Sequence, residues 1–232
     1  DHIASHSEKG YSFDTVLPPL MKDVRSHRVA YHMARPEHHN GIIANGLIPS
    51  YHADQDITHA SQELDRMKPS WIPHWVKKEQ AVYLHPEMGN DFLSFYGGPF
   101  HVYAVTLPTE NVWVGSRTVG GWCLFDEEME EDLEWKQQHI QLIHEEYGKE
   151  YWNYSCSLSE YVRPTNRIRR KIKRGMLDEL LVFEPIPASQ ITWIGTFDEK
   201  GLFQETDGFA RFVRDEHRDS YSDILTQLQK VT

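Results

Sequence analysis

Six short runs of apolar and β-branched residues constrain the fold of this chain more than any other feature of its sequence. Runs of this length, ended by Gly, Pro or polar clusters, are typical of β-strands. They cover residues 28–33, 80–84, 100–107, 112–114, 179–183 and 191–194. The segments between them are uneven and only a few have a helical pattern, so the regular alternation of a parallel α/β sheet is missing. The sequence predicts an α+β fold with a mostly antiparallel core and peripheral helices.

Helices are predicted at a few places only. Pro36 suits a first helical turn and Gly46 suits a helix end, which indicates a helix over residues 36–45. The clearest apolar spacing of three and four residues runs over 126–147, with Gly148 just past the predicted end. Shorter helices are predicted over the segments 87–96 and 221–228, and a structured surface loop over 71–75.

Composition favours one domain. A chain of 232 residues with 39% hydrophobic residues has enough apolar material for a core without metals or disulfides. We expect a single domain with an N-terminal arm or cap at 1–22, a core at 28–195 and a polar tail at 196–232.

The compartment is predicted from what the sequence lacks. Cys123 and Cys156 are far apart and form no CxxC pair, which favours a reducing compartment. We see no leader pattern and no apolar run near the roughly 20 residues of a membrane span. We therefore expect a cytoplasmic protein without a membrane partner.

Charge is strongly polarised along the chain. The net charge of -11 argues against a protein that coats nucleic acid with its whole surface. Seven of the nine residues in 126–134 are acidic, whereas seven of the twelve in 163–174 are Arg or Lys. The basic segment suits either phosphate binding or pairing with the acidic segment.

Familiar nucleotide and metal motifs do not occur. There is no GxGxxG and no GxxxxGK[ST], so neither a Rossmann nor a P-loop site is indicated. Histidine pairs such as His38-His39 form no HExxH or Cys/His quartet, so we predict no metal.

Three short motifs follow one another along the chain: Val-Ala-Tyr-His-Met-Ala at 29–34 with the later Gly-Leu-Ile-Pro, Ala-Val-Tyr-Leu at 81–84, and Asp-Glu-Leu-Leu-Val at 178–182 followed by Pro-Ile-Pro. In this order they resemble the ADP-ribosyltransferase superfamily, in the branch whose NAD pocket has a His, a Tyr and a Glu on separate strands. The resemblance covers about residues 28–194. It implies an ADP-ribosyltransferase-like split sheet and NAD as substrate.

The resemblance also implies roles for individual residues. His32, flanked in its strand by Tyr31 and Met33, would donate to a ribose hydroxyl, and Tyr83 would stack on the cationic nicotinamide. Glu179 would be the catalytic carboxylate, because cleavage of the nicotinamide–ribose bond develops positive charge on the sugar. Asp178 is its nearest competitor, and neighbours in a strand point to opposite faces.

The acceptor is expected to meet the basic segment that precedes Glu179. The five residues with this predicted role are Arg163, Arg167, Arg169, Arg170 and Lys171. The sequence therefore predicts a mono-ADP-ribosyltransferase acting on a macromolecule, with DNA or RNA favoured over protein. The resemblance to nucleic-acid-modifying bacterial toxins implies a cytoplasmic toxin with a neutralising antitoxin or hydrolase. Two alternatives stay open: an RNA 2'-phosphotransferase that also uses NAD, and a non-catalytic module that binds nucleic acid or ADP-ribose.

Overall fold

The computed structural model describes residues 15–17, 29–49, 55–86, 88–89, 99–108, 110–120, 145–161, 178–199, 203–209 and 211. The strands of these ranges are β1 Thr15–Leu17, β2 Val29–Ala34, β3 Val82–Leu84, β4 Met88–Gly89, β5 Phe100–Thr106, β6 Val112–Ser116, β7 Cys156–Ser157, β8 Asp178–Val182, β9 Ile191–Phe197 and β10 Phe203–Glu205. The α-helices labelled here are α1 His39–Asn45, α2 Gln55–Arg66, α3 at 145–153 and α4 Leu158–Tyr161, and residues 117–120, 207–209 and 211 are helical as well. Short 3-10 helices are η1 Pro36–His38, η2 Lys78–Gln80 and η3 Ala188–Gln190.

The fold is α+β with two four-stranded antiparallel sheets and few helices. The first sheet has the order β10-β9-β5-β2, and the second has the order β3-β8-β6-β7. Strands β1 and β4 form a separate two-stranded pair. None of the described helices is long and apolar enough to cross a membrane.

The two four-stranded sheets meet along strands β2 and β3. Tyr31 and His85 exchange both backbone hydrogen bonds at 2.8 Å, so the end of β3 pairs with β2 at this single point. Beyond it the two strands belong to different sheets.

One face of each sheet contributes to a shared core, because alternate side chains of a strand point to the same side. The first sheet supplies Ala30, Tyr103 and Val105, and the second supplies Val82, Leu84, Val114, Leu180 and Val182. Since Tyr103 is opposite His32 in the β2–β5 register, His32 lies on this inner face.

The outer face of the second sheet is also covered. Residues of α2, of α3 and of the loop 67–77 that follows α2 pack on it in a second core cluster. This cluster contains Leu64, Ile72, Val76, Trp113, Tyr151, Trp152 and Leu181. The indole of Trp152 donates to the carbonyl of Leu64 at 2.7 Å, which ties α3 to α2. The second sheet is therefore buried on both sides.

All six predicted strands are present, and two of them extend by two or more residues beyond their predicted ends. Strand β6 runs through Gly115 to Ser116, and β9 continues to Phe197. Gly115 lies inside its strand because the ring of Tyr151 packs where a Cβ would stand. Residues 203–205 add β10 to the first sheet, so this sheet reaches into the predicted tail.

The helices differ more from the prediction. The 36–45 segment is helical and ends at Gly46, whose φ of 80° favours glycine. The predicted end of the 126–147 helix is wrong, because α3 continues through Gly148 to residue 153. The missing Cβ of Gly148 allows close contact with Met67. Residues 121–144 lie outside the described ranges.

Other local predictions were wrong or incomplete. Residues 88–89 are not helical, because they pair as β4 with residues 15–17 of the predicted arm. Helix α2 was not predicted, since its sequence is mostly polar and only one side of it is apolar. The segments 90–98 and 221–228 are outside the described residues.

Candidate functional site

His32 is fixed at the junction of the sheets. Its Nδ1–H donates to the backbone carbonyl of Tyr83 at 3.0 Å, although 51 positions separate the two residues. Burial is the main cause that lowers the pKa of His32, and the nearby His38 lowers it further. The neutral ring therefore presents Nε2 as an acceptor, whereas the sequence prediction gave His32 the role of a donor to a ribose hydroxyl.

Glu179 lies on the face of β8 that packs against α3, whereas Asp178 lies on the face toward the shared core. Glu179 is only 4% exposed, and its Oε1 accepts a hydrogen bond from the Tyr151 hydroxyl at 2.7 Å. The side chain of Asp178 lies on the other face of β8, where it accepts from the Tyr161 hydroxyl at 2.6 Å. The alternation of the strand thus separates the two carboxylates.

A lysine that the sequence did not single out pairs with Glu179. The Nζ of Lys78 donates to Oε1 of Glu179, and both side chains are almost completely buried. A buried ion pair is stable only when good geometry and further hydrogen bonds offset the loss of hydration. Here the Tyr151 hydroxyl supplies one of those further bonds.

Two tyrosine rings complete the surroundings of the ammonium group. Nζ of Lys78 lies 4.7 Å from the ring centroid of Tyr83 and 5.0 Å from that of Tyr151. The faces of aromatic rings attract cations, most strongly where water is excluded. We call Lys78, Tyr83, Tyr151 and Glu179 the Glu179 cluster. Its carboxylate and two aromatic rings form a buried binding site for a cation, which the Lys78 ammonium occupies.

The backbone next to Lys78 is held by helix α2. The carboxylate of Asp65 accepts the backbone N–H groups of Lys78 at 2.8 Å and of Glu79 at 3.0 Å. The Tyr83 hydroxyl donates to the carbonyl of Lys78 at 2.7 Å and accepts from the buried Ser61 hydroxyl at 2.8 Å. Helix α2, which sequence patterns missed, therefore orients both the lysine and the tyrosine.

Electrostatic effects in this region favour neutral phenols and imidazoles. Burial, with the charge of Glu179 as a second cause, raises the pKa of Tyr83 and of Tyr151 far above the normal range. Burial and the neighbouring cations Arg117 and Lys78 lower the pKa of His85 well below its usual value. The tyrosines can therefore donate hydrogen bonds but are not bases at neutral pH.

Of the three predicted site residues, the structure links Tyr83 and Glu179, whose side chains share the Lys78 ammonium. His32 meets only the backbone of Tyr83, and its side chain lies on the inner face of the first sheet, whereas Glu179 lies on the outer face of the second. Tyr31 is buried and joins the sheets through its backbone, and its side chain points away from His32, as does that of Met33.

The predicted acceptor residues lie outside the described ranges. This holds for Arg163, Arg167, Arg169, Arg170 and Lys171, and for the acidic segment 126–134. Their predicted role therefore stays a prediction.

A row of rings extends from His32 along the inner face of the first sheet. The ring centroids of His32 and Tyr103 are 6.3 Å apart, and Nδ1 of His39 is 2.9 Å from the Tyr103 hydroxyl. His101 and Trp193 continue the row, with ring centroids 4.8 Å apart. Within the described ranges no three His, Cys, Asp or Glu side chains are grouped to hold a metal.

A cavity of about 680 Å³ lies at the first sheet, and Trp193 of the ring row forms part of its lining. Val29, Ala104 and Thr106 form part of its wall, and their side chains point opposite to His32. None of the residues of the Glu179 cluster lines this cavity, so we do not take the cavity as the candidate site. The chemistry of the Glu179 cluster is the better guide.

Comparison of the chain with protein-family models, with curated proteins and with solved structures gives no match.

Proposed function

We propose that this protein is an NAD-dependent mono-ADP-ribosyltransferase whose reaction centre is the Glu179 cluster. The observation that carries the proposal is a buried carboxylate and two tyrosine rings arranged around a cation. NAD brings a cationic nicotinamide ring, and its cleavage creates more positive charge on the adjoining ribose. Few neutral substrates would make use of such surroundings.

The proposed chemistry follows from the charge that develops. The bond between ribose C1 and the nicotinamide nitrogen breaks, and its electron pair neutralises the leaving ring. The carboxylate of Glu179 stabilises the oxocarbenium-like sugar, as fixed charge does most effectively in a site that excludes water. A lone pair of the acceptor then bonds to C1, and the acceptor proton passes to the carboxylate or to solvent.

His32 has an orienting role in this proposal. Its Nδ1–H is already committed to the Tyr83 carbonyl, so Nε2 accepts a hydrogen bond from a ribose hydroxyl. A hydroxyl held in this way fixes the sugar relative to Glu179, and orientation of reacting groups lowers barriers substantially.

Lys78 must leave its position before a substrate can reach Glu179. The nicotinamide is itself a cation and can replace the ammonium between the two tyrosine rings. Such an exchange keeps Glu179 paired with positive charge throughout, which avoids a buried unpaired carboxylate. Lys78 is therefore proposed as a stand-in for the substrate cation.

The acceptor proposed is a nucleic acid. The basic segment 163–174 supports it, since seven Arg or Lys residues in twelve attract a phosphate backbone to an otherwise acidic protein. A protein is the alternative acceptor, and the experiment below includes it.

The decisive experiment measures nicotinamide release from NAD by the purified protein, with single-stranded DNA, RNA, lysate protein or water as acceptor. Glu179→Gln is expected to lower the rate roughly 100-fold or more, since it removes the stabilising charge. Asp178→Asn is the matched control, because it changes the neighbouring carboxylate on the opposite face of the strand.

Two results would count against the proposal. One is intact NAD with every acceptor, and the other is equal activity of Glu179→Gln and wild type. Circular dichroism of Glu179→Gln distinguishes a lost reaction from a lost fold, because the substitution also leaves Lys78 without its partner.

A further inference from the structure

Two tryptophans on one loop are exposed to an unusual degree. Residues 67–77, which connect α2 to η2, carry Trp71 with 56% and Trp75 with 39% of its surface exposed. We call these residues the tryptophan loop. Large aromatic side chains usually dominate cores and interfaces, so their exposure on a loop needs a reason.

The loop itself is well anchored. Ile72 and Val76 are buried in the second core cluster, and their N–H groups donate to the carbonyls of Pro69 and Pro73 at 3.1 Å. The ammonium of Lys68 reaches across to the carbonyl of Val76. Loop positions of this kind are rigid enough to present the indoles without a large entropy cost on binding.

The indole of Trp75 is also held at a fixed angle. It packs edge-to-face on Trp113 and on Phe183, with ring centroids 6.2 and 5.5 Å apart. Part of its surface is thus used for anchoring and the rest faces outward. Trp71, in contrast, exposes more than half of its surface and makes the better probe.

The charge of the loop selects the class of partner. The loop has no carboxylate and contains Lys68 and the exposed Lys77, although the whole chain carries a net charge of -11. Exposed aromatic rings beside cations are the combination that binds single-stranded nucleic acid, because unpaired bases stack on the rings and phosphates meet the charges. An apolar protein partner would not need the cations.

We infer that the tryptophan loop is a docking platform for single-stranded nucleic acid, with Trp71 and Trp75 stacking on unpaired bases. This inference rests on the proposed transferase and names how its acceptor is held. The loop leads into Lys78, which pairs with Glu179, and Trp75 packs against Trp113 on the same face of the second sheet as that pair. Duplexes are disfavoured, because their bases are already stacked and paired.

The test is fluorescence anisotropy of fluorescein-labelled 20-nucleotide strands of deoxythymidine and of uridine, and of a 20-base-pair duplex, with the purified chain. Trp71→Ala is expected to weaken binding of single strands roughly 5- to 100-fold, and Trp71→Phe to restore part of it. Lys77→Ala should reduce the slope of log affinity against log salt by about one. Ile48→Ala is the matched control, since Ile48 is also 56% exposed but lies elsewhere.

The inference is overturned if Trp71→Ala binds as tightly as Ile48→Ala, if the duplex binds as well as the single strands, or if no strand binds. Sedimentation of the two variants shows whether the indoles instead join two copies of the chain, which would also overturn it.

Nicotinamide release is measured in parallel to separate the two proposals. Trp71-dependent strand binding without any NAD cleavage would leave the platform standing and remove the transferase. NAD cleavage without Trp71-dependent binding would do the reverse. The deoxythymidine and uridine strands distinguish DNA from RNA as the preferred partner.

Discussion

Replacing Lys78 with methionine should destabilise the protein by about 3–5 kcal/mol. The substitution keeps much of the side-chain volume but leaves the buried carboxylate of Glu179 without its cation, and removal of one partner from a buried pair has an effect of this size. For a chain of this length each kcal/mol shifts the melting temperature by roughly 2–4 °C. The expected fall is therefore about 6–20 °C.

Urea unfolding and thermal melts of five proteins test this reasoning: wild type, Lys77→Met, Lys78→Met, Glu179→Gln and the double variant. Lys77→Met changes the adjacent exposed lysine and should stay within about 0.5 kcal/mol of wild type. The double variant Lys78→Met/Glu179→Gln removes both charges and keeps an acceptor for the Tyr151 hydroxyl, so it should be more stable than Lys78→Met alone. Equal effects of Lys78→Met and Lys77→Met, or strictly additive effects in the double variant, would show that the buried pair does not form in solution.

Three further predictions concern the same region. Gly115→Ala should lower stability by about 1–3 kcal/mol, because its Cβ would collide with the tyrosine ring packed there, whereas Gly41→Ala in α1 meets nothing within 4 Å and should be neutral or stabilising by urea unfolding. Stability should fall as the pH drops below about 6.5, because the folded state lowers the pKa values of His32 and His85 and the unfolded chain therefore binds more protons. The free energy of unfolding should decrease by up to ~1.4 kcal/mol per pH unit for each histidine. In urea titrations at several pH values, His85→Gln should make this dependence less steep. An amine-reactive label read by mass spectrometry should modify Lys78 slowly, and faster when NAD is added; protection of Lys78 by NAD would contradict the exchange of cations.

Local sequence patterns were sufficient for six of the ten strands in the described ranges, and they missed the short strands β1, β4, β7 and β10. Each of the six apolar runs is a strand, since burial on one or both faces requires such composition whatever the partners are. Helix α2 shows the limit, because its polar sequence has a weak local signal and its place is set by contacts with distant residues such as Trp152.

The candidate site, too, was predictable from the sequence only in part. The preference for Glu179 came from the resemblance, and strand alternation established that Asp178 could not face the same side. The partners of Glu179 carry no such signal: Lys78 is 101 positions away and Tyr151 is 28 away. No spacing rule in a sequence links residues across such distances.

By itself the sequence determined the α+β class and the positions of the six longer strands, because these depend on periodicity and composition along the chain, and the order of short motifs named three candidate site residues. Only the tertiary structure decided that a lysine lies between two tyrosine rings and a buried carboxylate, and that two indoles remain at the surface. Both facts result from packing between elements that are far apart in the chain. The burial and the charge partners of each residue therefore depend on residues that a local sequence pattern does not include.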